Sequence, residues 1–129
     1  VNVLVDTHVL LWLFSDPARV DPVALAVLSD PENSLWVSAA SAWEIAIKTR
    51  IGRLDGEPVL AAWPDILATM SIDELAINSA DAILAGRLPR PHKDPFDRVI
   101  VAQAVRRNLM IATRDTQMIG AALTAVLEA

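Results

Sequence analysis

Asp6, Glu44, Asp97 and Asp115 are carboxylates from four separate parts of a 129-residue chain, and the chemistry they suit is that of a hard divalent ion. Ions such as Mg²⁺ and Mn²⁺ take carboxylate oxygens and water in octahedral geometry. Four carboxylates exceed what one such ion needs, so the set suits one or two ions that activate a water, polarise a phosphate and stabilise a leaving oxygen. With no cation between them, mutual repulsion raises some of their pKa values, and cation binding relieves it. Asp94 adds a fifth acid beside Asp97. The chain has no cysteine and two histidines, which excludes disulfides and thiolate zinc and leaves oxygen as the donor.

Such a pocket needs elements that carry distant residues to one place. Val1 to Val5 is a short, almost wholly apolar run ending at Asp6, the pattern of a buried, central parallel strand. A helix is expected over Thr7 to Phe14 and another over Ala24 to Leu28, followed by an apolar run at Leu35 to Val37. Ser38 to Ile51 reads as a helix ended by Gly52, and Glu57-Pro58 opens one that runs to Met70. Leu75 to Ile77 is a strand candidate, and a helix over Ala80 to Leu88 is broken by Pro89 and Pro91. Asp94-Pro95 starts a helix to about Asn108, since Asp is a good N-cap and Pro suits the first helical position. Leu109 to Ala112 is a strand leading to Thr113-Arg114-Asp115, and Ala125 to Leu127 follows a short helix as an edge strand. Strands alternating with helices predict one α/β domain over residues 1–129, an α/β/α sandwich with a mostly parallel central sheet of about five strands. In such a sheet, ligands collect at the carboxyl ends of the strands where strand order reverses, and Asp6 and Asp115 each follow a strand.

Each acid also has an ordinary structural use. Asp6 and Asp115 stand where an Asp caps the next helix. Ser41 and Glu44 have the Ser-x-x-Glu spacing of a capping box, in which Glu44 would serve the helix N-terminus. Asp94 can cap through Asp-Pro, while Asp97, one turn later, lies on the same face. His8 and His92 offer imidazoles, but a metal-activated water needs neither, and such residues more often pack or face solvent.

The net charge of −5 argues against a phosphate partner only at face value. If Asp6, Glu44, Asp94, Asp97 and Asp115 share a pocket, the other 11 acids (16 − 5) balance the 11 Lys and Arg. The basic residues fall in groups: Lys48, Arg50 and Arg53; Arg87, Arg90, Lys93 and Arg98; Arg106, Arg107 and Arg114. These groups offer local positive surface, or solvated helix faces. No basic, apolar leader opens the chain, and no run of about 18 apolar residues is present to span a bilayer. A soluble, cytoplasmic protein is the expectation.

Four segments then carry a family resemblance that covers essentially the whole chain. They are Leu4-Val5-Asp6-Thr7-His8, Ser41-Ala42-Trp43-Glu44-Ile45, Asp97-Arg98-Val99-Ile100-Val101-Ala102-Gln103-Ala104 and Thr113-Arg114-Asp115. In that order and spacing they resemble the PIN-domain ribonucleases, in particular the VapC toxins of type II toxin–antitoxin pairs. The resemblance implies a PIN-like fold and a Mg²⁺- or Mn²⁺-dependent endoribonuclease, with structured RNA such as transfer or ribosomal RNA as substrate. Asp6, Glu44, Asp97 and Asp115 would be catalytic and metal-holding. His92-Lys93-Asp94-Pro95-Phe96-Asp97-Arg98 is similar to one VapC subgroup. It leaves Asp94 competing with Asp97 for the third place, as accessory ligand or helix cap. Thr7 and Thr113 would orient carboxylates or water, and Arg98 or Arg114 would hold substrate phosphate. A small cognate antitoxin and a homodimer are the implied partners. Leu10 to Phe14 with Trp12, or Trp36, Trp43 and Trp63, are candidates for those interfaces, or else for the core.

Two rival readings stand beside this one. A receiver-like signalling domain also gathers acids at strand ends around Mg²⁺, but it wants paired acids near its first strand and a lysine after its last main strand, and neither pattern is evident. A catalytically silent module of the same fold would bind RNA or a partner without cleaving.

Overall fold

The computed structural model describes residues 1–89, 94–120 and 123–129, so Arg90, His92 and Lys93 lie outside the described residues. The elements run β1 (Asn2–Val5), α1 (Thr7–Ser15), a short 3-10 turn (Pro17–Arg19), α2 (Pro22–Ser29), β2 (Ser34–Ser38), α3 (Ala39–Arg50), α4 (Glu57–Ala61), α5 (Trp63–Thr69), β3 (Ile72–Leu75), α6 (Ser79–Arg87), α7 (Pro95–Arg107), β4 (Met110–Thr113), α8 (Thr116–Gly120) and β5 (Val126–Glu128).

The five strands form one sheet in the order β3-β2-β1-β4-β5, with every pairing parallel. β1 is central because its residues are apolar on both faces. Val3 and Val5 enter one core with Val9 and Leu10 of α1 and Ala24 and Leu28 of α2, whereas Leu4 enters the opposite core with Ile100, Val101 and Ala104 of α7. Each fully buried Leu or Ile contributes roughly 1.5–3 kcal/mol, so β1 cannot slip by one residue without exchanging both layers. A third cluster, Ile45, Val59 and Ile66, packs α3 against α4 and α5.

Two expected elements differ. The helix expected from Glu57 to Met70 is two helices, because Pro64 has no N–H to donate to the Leu60 carbonyl and its ring crowds that carbonyl. The chain breaks at Ala62, with φ −114°. The strand expected at Leu75 to Ile77 lies at Ile72–Leu75, entered through Ser71 at φ 54°. Its exposed Asp73 and Glu74 conceal it in the sequence, and both suit an edge strand that must not pair further. Asp94 caps α7 as expected, accepting from the Phe96 and Asp97 N–H groups at 2.9 and 3.3 Å. At its other end, Asn108 closes the helix in the left-handed region.

Two buried groups tie α6 to α7. Asp81 accepts from Arg106, Arg107 and Gln103 and completes a capping box with Asn78. Burial works to raise its pKa, but the two guanidiniums and the Asn78 N–H hold the carboxyl well below the usual carboxylate range. Arg106 and Arg107 are therefore committed to the scaffold. Among the described residues, no helix is long and apolar enough to cross a membrane.

Candidate active site

Strand order reverses at β1, between β2 and β4, and the carboxyl ends of those three strands meet at Asp6, Ser38 and Thr113. Asp6 is tied there from all sides. Its N–H donates to the Ala112 carbonyl at 2.9 Å, its Oδ1 accepts the Thr7 N–H at 2.7 Å, and its Oδ2 accepts the Thr113 hydroxyl at 2.8 Å. The carboxylate is only 5% exposed. Burial raises its pKa above the ordinary value. Thr113, Thr7 and His8 work in the opposite direction, and the charge of Glu44 adds to the rise. Asp6 and Glu44 therefore sense one another across the gap between β1 and α3.

Glu44 is not the capping-box residue that Ser41 suggested. Ser38 caps α3, accepting the Ala40 N–H at 3.0 Å, which starts the helix three residues earlier and puts Glu44 in its second turn. The Ser41 hydroxyl is instead hydrogen-bonded to that of Thr7 at 2.8 Å, pinning α1 to α3. Glu44 is 3% exposed. Its Oε2 accepts from Lys48 Nζ, one turn on, and its Oε1 is buried with no hydrogen-bond partner among the described residues. An orphaned, buried carboxylate oxygen is costly unless something further is to bind it.

Asp97, 7% exposed, stands in the first turn of α7, which packs against α3. Lys48 registers the shared field. Burial works against its charge, yet the hydrogen bond and charge of Glu44, with Asp94 and Asp97 beyond, raise its pKa. Lys48 thus feels the charges of Glu44, Asp94 and Asp97 together. Asp115 starts α8 and is joined to the set through Thr113, whose oxygen accepts the Asp115 N–H at 3.0 Å. The sequence pattern groups the five acids as one candidate pocket and leaves Lys48 out of it. The signal for it was present, since Lys48 lies four residues after Glu44 on one helix.

The remaining candidates divide. The Thr7 N–H and the Thr113 hydroxyl both donate to Asp6, as described. Arg98 turns its Nε and Nη2 to the carbonyls of Ala85, Gly86 and Leu88 at the end of α6. Arg114 donates to the carbonyls of Arg19 and Ala129 and lies over the Trp12 ring at 4.2 Å, with Arg19 at 5.2 Å from the same ring. Both guanidiniums thus have structural uses within the fold. Trp36 and Trp63 pack into the core, whereas Trp43 is 55% exposed and meets Phe96 edge-on, with ring centroids 4.9 Å apart. His8 is exposed beside Trp12.

The donors are all carboxylate oxygens, the set a hard divalent ion prefers, and the orphaned Glu44 Oε1 offers such an ion a free, anionic ligand. Among the described residues, no group of three or more acids or histidines forms a ready cage. Lys48 stands against Glu44 instead.

Comparison with known proteins places this geometry in context. The PIN domain matches residues 3–122. Ribonuclease VapC22 of Mycobacterium tuberculosis is 28% identical over 91% of this chain and 89% of its own length. Ribonuclease VapC16 of the same organism is 41% identical over a shorter stretch, 43% of this chain and 40% of that relative. Among solved structures, VapBC2 from Rickettsia felis, bound to a DNA fragment from its promoter, superposes with a TM-score of 0.70 at 11% identity, covering 98% of both chains. VapBC-1 from nontypeable Haemophilus influenzae gives 0.65 at 18% identity, covering 99% of this chain and 98% of that one. These likenesses match the five-stranded fold described above.

Proposed function

Because the chain belongs to the PIN-domain family, we propose that it is a Mg²⁺- or Mn²⁺-dependent endoribonuclease of the VapC kind, the toxin of a toxin–antitoxin pair. Family membership also replaces the receiver-like reading. The observation that carries the proposal is the buried pair of Asp6 and Glu44 at the strand-order reversal, with Glu44 Oε1 left without a partner among the described residues.

Asp6, Glu44, Asp97 and Asp115 would hold the ion, with Asp94 set back as the cap of α7 and an electrostatic contributor. Bound there, a divalent cation supplies Lewis acidity toward phosphate and lowers the pKa of water. The chain's own residues do the rest. Thr113 and the Thr7 N–H fix both oxygens of Asp6, and the Thr7–Ser41 hydroxyl pair fixes α1 relative to α3. Preorganised acceptors of this sort lose little on closing around a cation. Arg53 and Lys48 line a cavity of about 230 Å³ next to Glu44, together with Thr7 and His8, and bring positive charge to the edge of an otherwise anionic pocket. This is where an RNA backbone would be drawn in.

An antitoxin is the proposed protein partner, in line with the toxin–antitoxin complexes among the structural relatives. A homodimer is proposed through the exposed Phe14 and its neighbours Leu13, Ile66 and Met70. A cytoplasmic site of action completes the reading.

The test is cleavage of defined transfer and ribosomal RNAs by purified protein, with and without EDTA, alongside Asp6→Asn. Cleavage that stops with EDTA, returns with Mn²⁺ and is lost in Asp6→Asn is expected. Cleavage that survives both treatments overturns the proposal, and metal-dependent RNA binding with no cleavage leaves the silent module.

A further inference from the structure

The contact of Lys48 with Glu44 sets a cation against a proposed metal ligand. The lysine is 30% exposed at its side chain, and its partner 4%. A buried carboxylate with one oxygen neutralised and the other orphaned is a half-satisfied group, and such an arrangement is the kind that exchanges partners. The cavity beside it, lined by Arg53, Leu54, His8 and Thr7, gives a four-carbon stem room to swing its ammonium away without unfolding α3.

We propose that Lys48 is a built-in counter-ion that occupies the cation position at Glu44 in the metal-free protein and exchanges with the divalent ion on loading, moving into the cavity beside Arg53. The inference rests on the metal-dependent reading above and deepens it. Three consequences follow from the geometry. The metal-free fold is spared the full cost of an unpaired buried Glu44. Metal affinity is lowered by the work of breaking the pair. The loaded site has a second cation at its edge, placed beside Arg53 for a phosphate group.

Calorimetric titration of the metal-free protein with Mn²⁺ tests it across wild type, Lys48→Met, Glu44→Gln and the double variant. Lys48→Met is expected to bind Mn²⁺ about tenfold tighter, and this gain is expected to vanish in the Glu44→Gln background, because the two residues then have no shared contact to lose. An equal gain in both backgrounds would make Lys48 a mere background charge and overturn the exchange, as would no gain at all. Lys48→Arg, which keeps the charge and grips a carboxylate with two donors, is expected to bind no tighter than wild type. A second readout needs no variant. The chain has two lysines, Lys48 and Lys93, and amine acylation followed by mass spectrometry reports each one. Lys48 is expected to label several-fold faster once Mn²⁺ is saturating, measured against a lysine-containing peptide added to the same reaction, and an unchanged rate overturns the exchange. If wild type and Lys48→Met both fail to bind Mn²⁺, the metal reading falls along with it. If wild type binds Mn²⁺ and Asp6→Asn does not, while Lys48→Met shows no gain, only the exchange falls.

Discussion

The Thr113 hydroxyl donates to Asp6 Oδ2 at 2.8 Å, joining the last residue of β4 to the acid that follows β1. The same oxygen accepts the Asp115 N–H, so one side chain sets the spacing of two acids that are more than a hundred residues apart. A buried neutral donor to a carboxylate contributes about 1–2 kcal/mol.

Replacing Thr113 by Val keeps its shape and removes that donor. We expect a loss of about 1–2 kcal/mol in urea unfolding and a fall of roughly 10–100-fold in RNA cleavage, as for other supports of metal ligands. Thr113→Ser should recover most of the activity, since it restores the hydroxyl. Full activity in Thr113→Val would show that Asp6 needs no such positioning.

Asp6 gives the metal-free protein a distinctive pH dependence. Its folded pKa is raised, so between that value and the ordinary carboxylate value of about 3.9 the folded chain binds the extra proton. Its contribution to stability therefore grows as pH falls into this window and is smallest near neutrality. Asp6→Asn should melt a few degrees higher than wild type at pH 7 in EDTA, lose this pH response and be inactive. A variant that melts lower across the whole range would contradict the sign.

Asp81 acts in the opposite direction. Its folded pKa is depressed, so its stabilisation is complete above about pH 3.9 and is lost as pH falls through its folded value. Asp81→Ala leaves Arg106, Arg107 and the α6 cap without their acceptor. It should cost about 2–3 kcal/mol, discounted because both arginines are partly exposed. Thermal melts at pH 7 and pH 3 measure both effects. Cleavage per folded molecule should be unchanged.

Arg114 separates a structural role from a phosphate contact. Arg114→Ala removes the stack on Trp12 and the donors to the Arg19 and Ala129 carbonyls, a loss of about 1–2 kcal/mol. RNA affinity and its dependence on salt should be unchanged. A salt slope reduced by about one would instead restore the phosphate role.

Local pattern was enough to read much of this molecule. The almost wholly apolar run before Asp6 reads as a strand buried on both faces, and a strand so buried is central. Asp94-Pro95 and Asn108 bound α7 because capping is decided by neighbouring backbone groups. The same locality accounts for the misses. β3 was read three residues late, since an edge strand with Asp73 and Glu74 facing water has no apolar signature. One helix was expected over residues 57–70 because Pro64 was given no weight as a breaker.

The sequence by itself determined which acids were available, their order along the chain and the strand ends and helix starts on which they stand, since these follow from neighbours in the chain. Only the tertiary structure decided what each acid touches. Glu44 escaped its capping box because Ser38 took the cap and Ser41 turned to Thr7, thirty-four residues away. Arg98 and Arg114 were drawn to carbonyls at the ends of other elements. Partner choice of this sort depends on burial and on groups distant in the chain, and neither is written in local spacing.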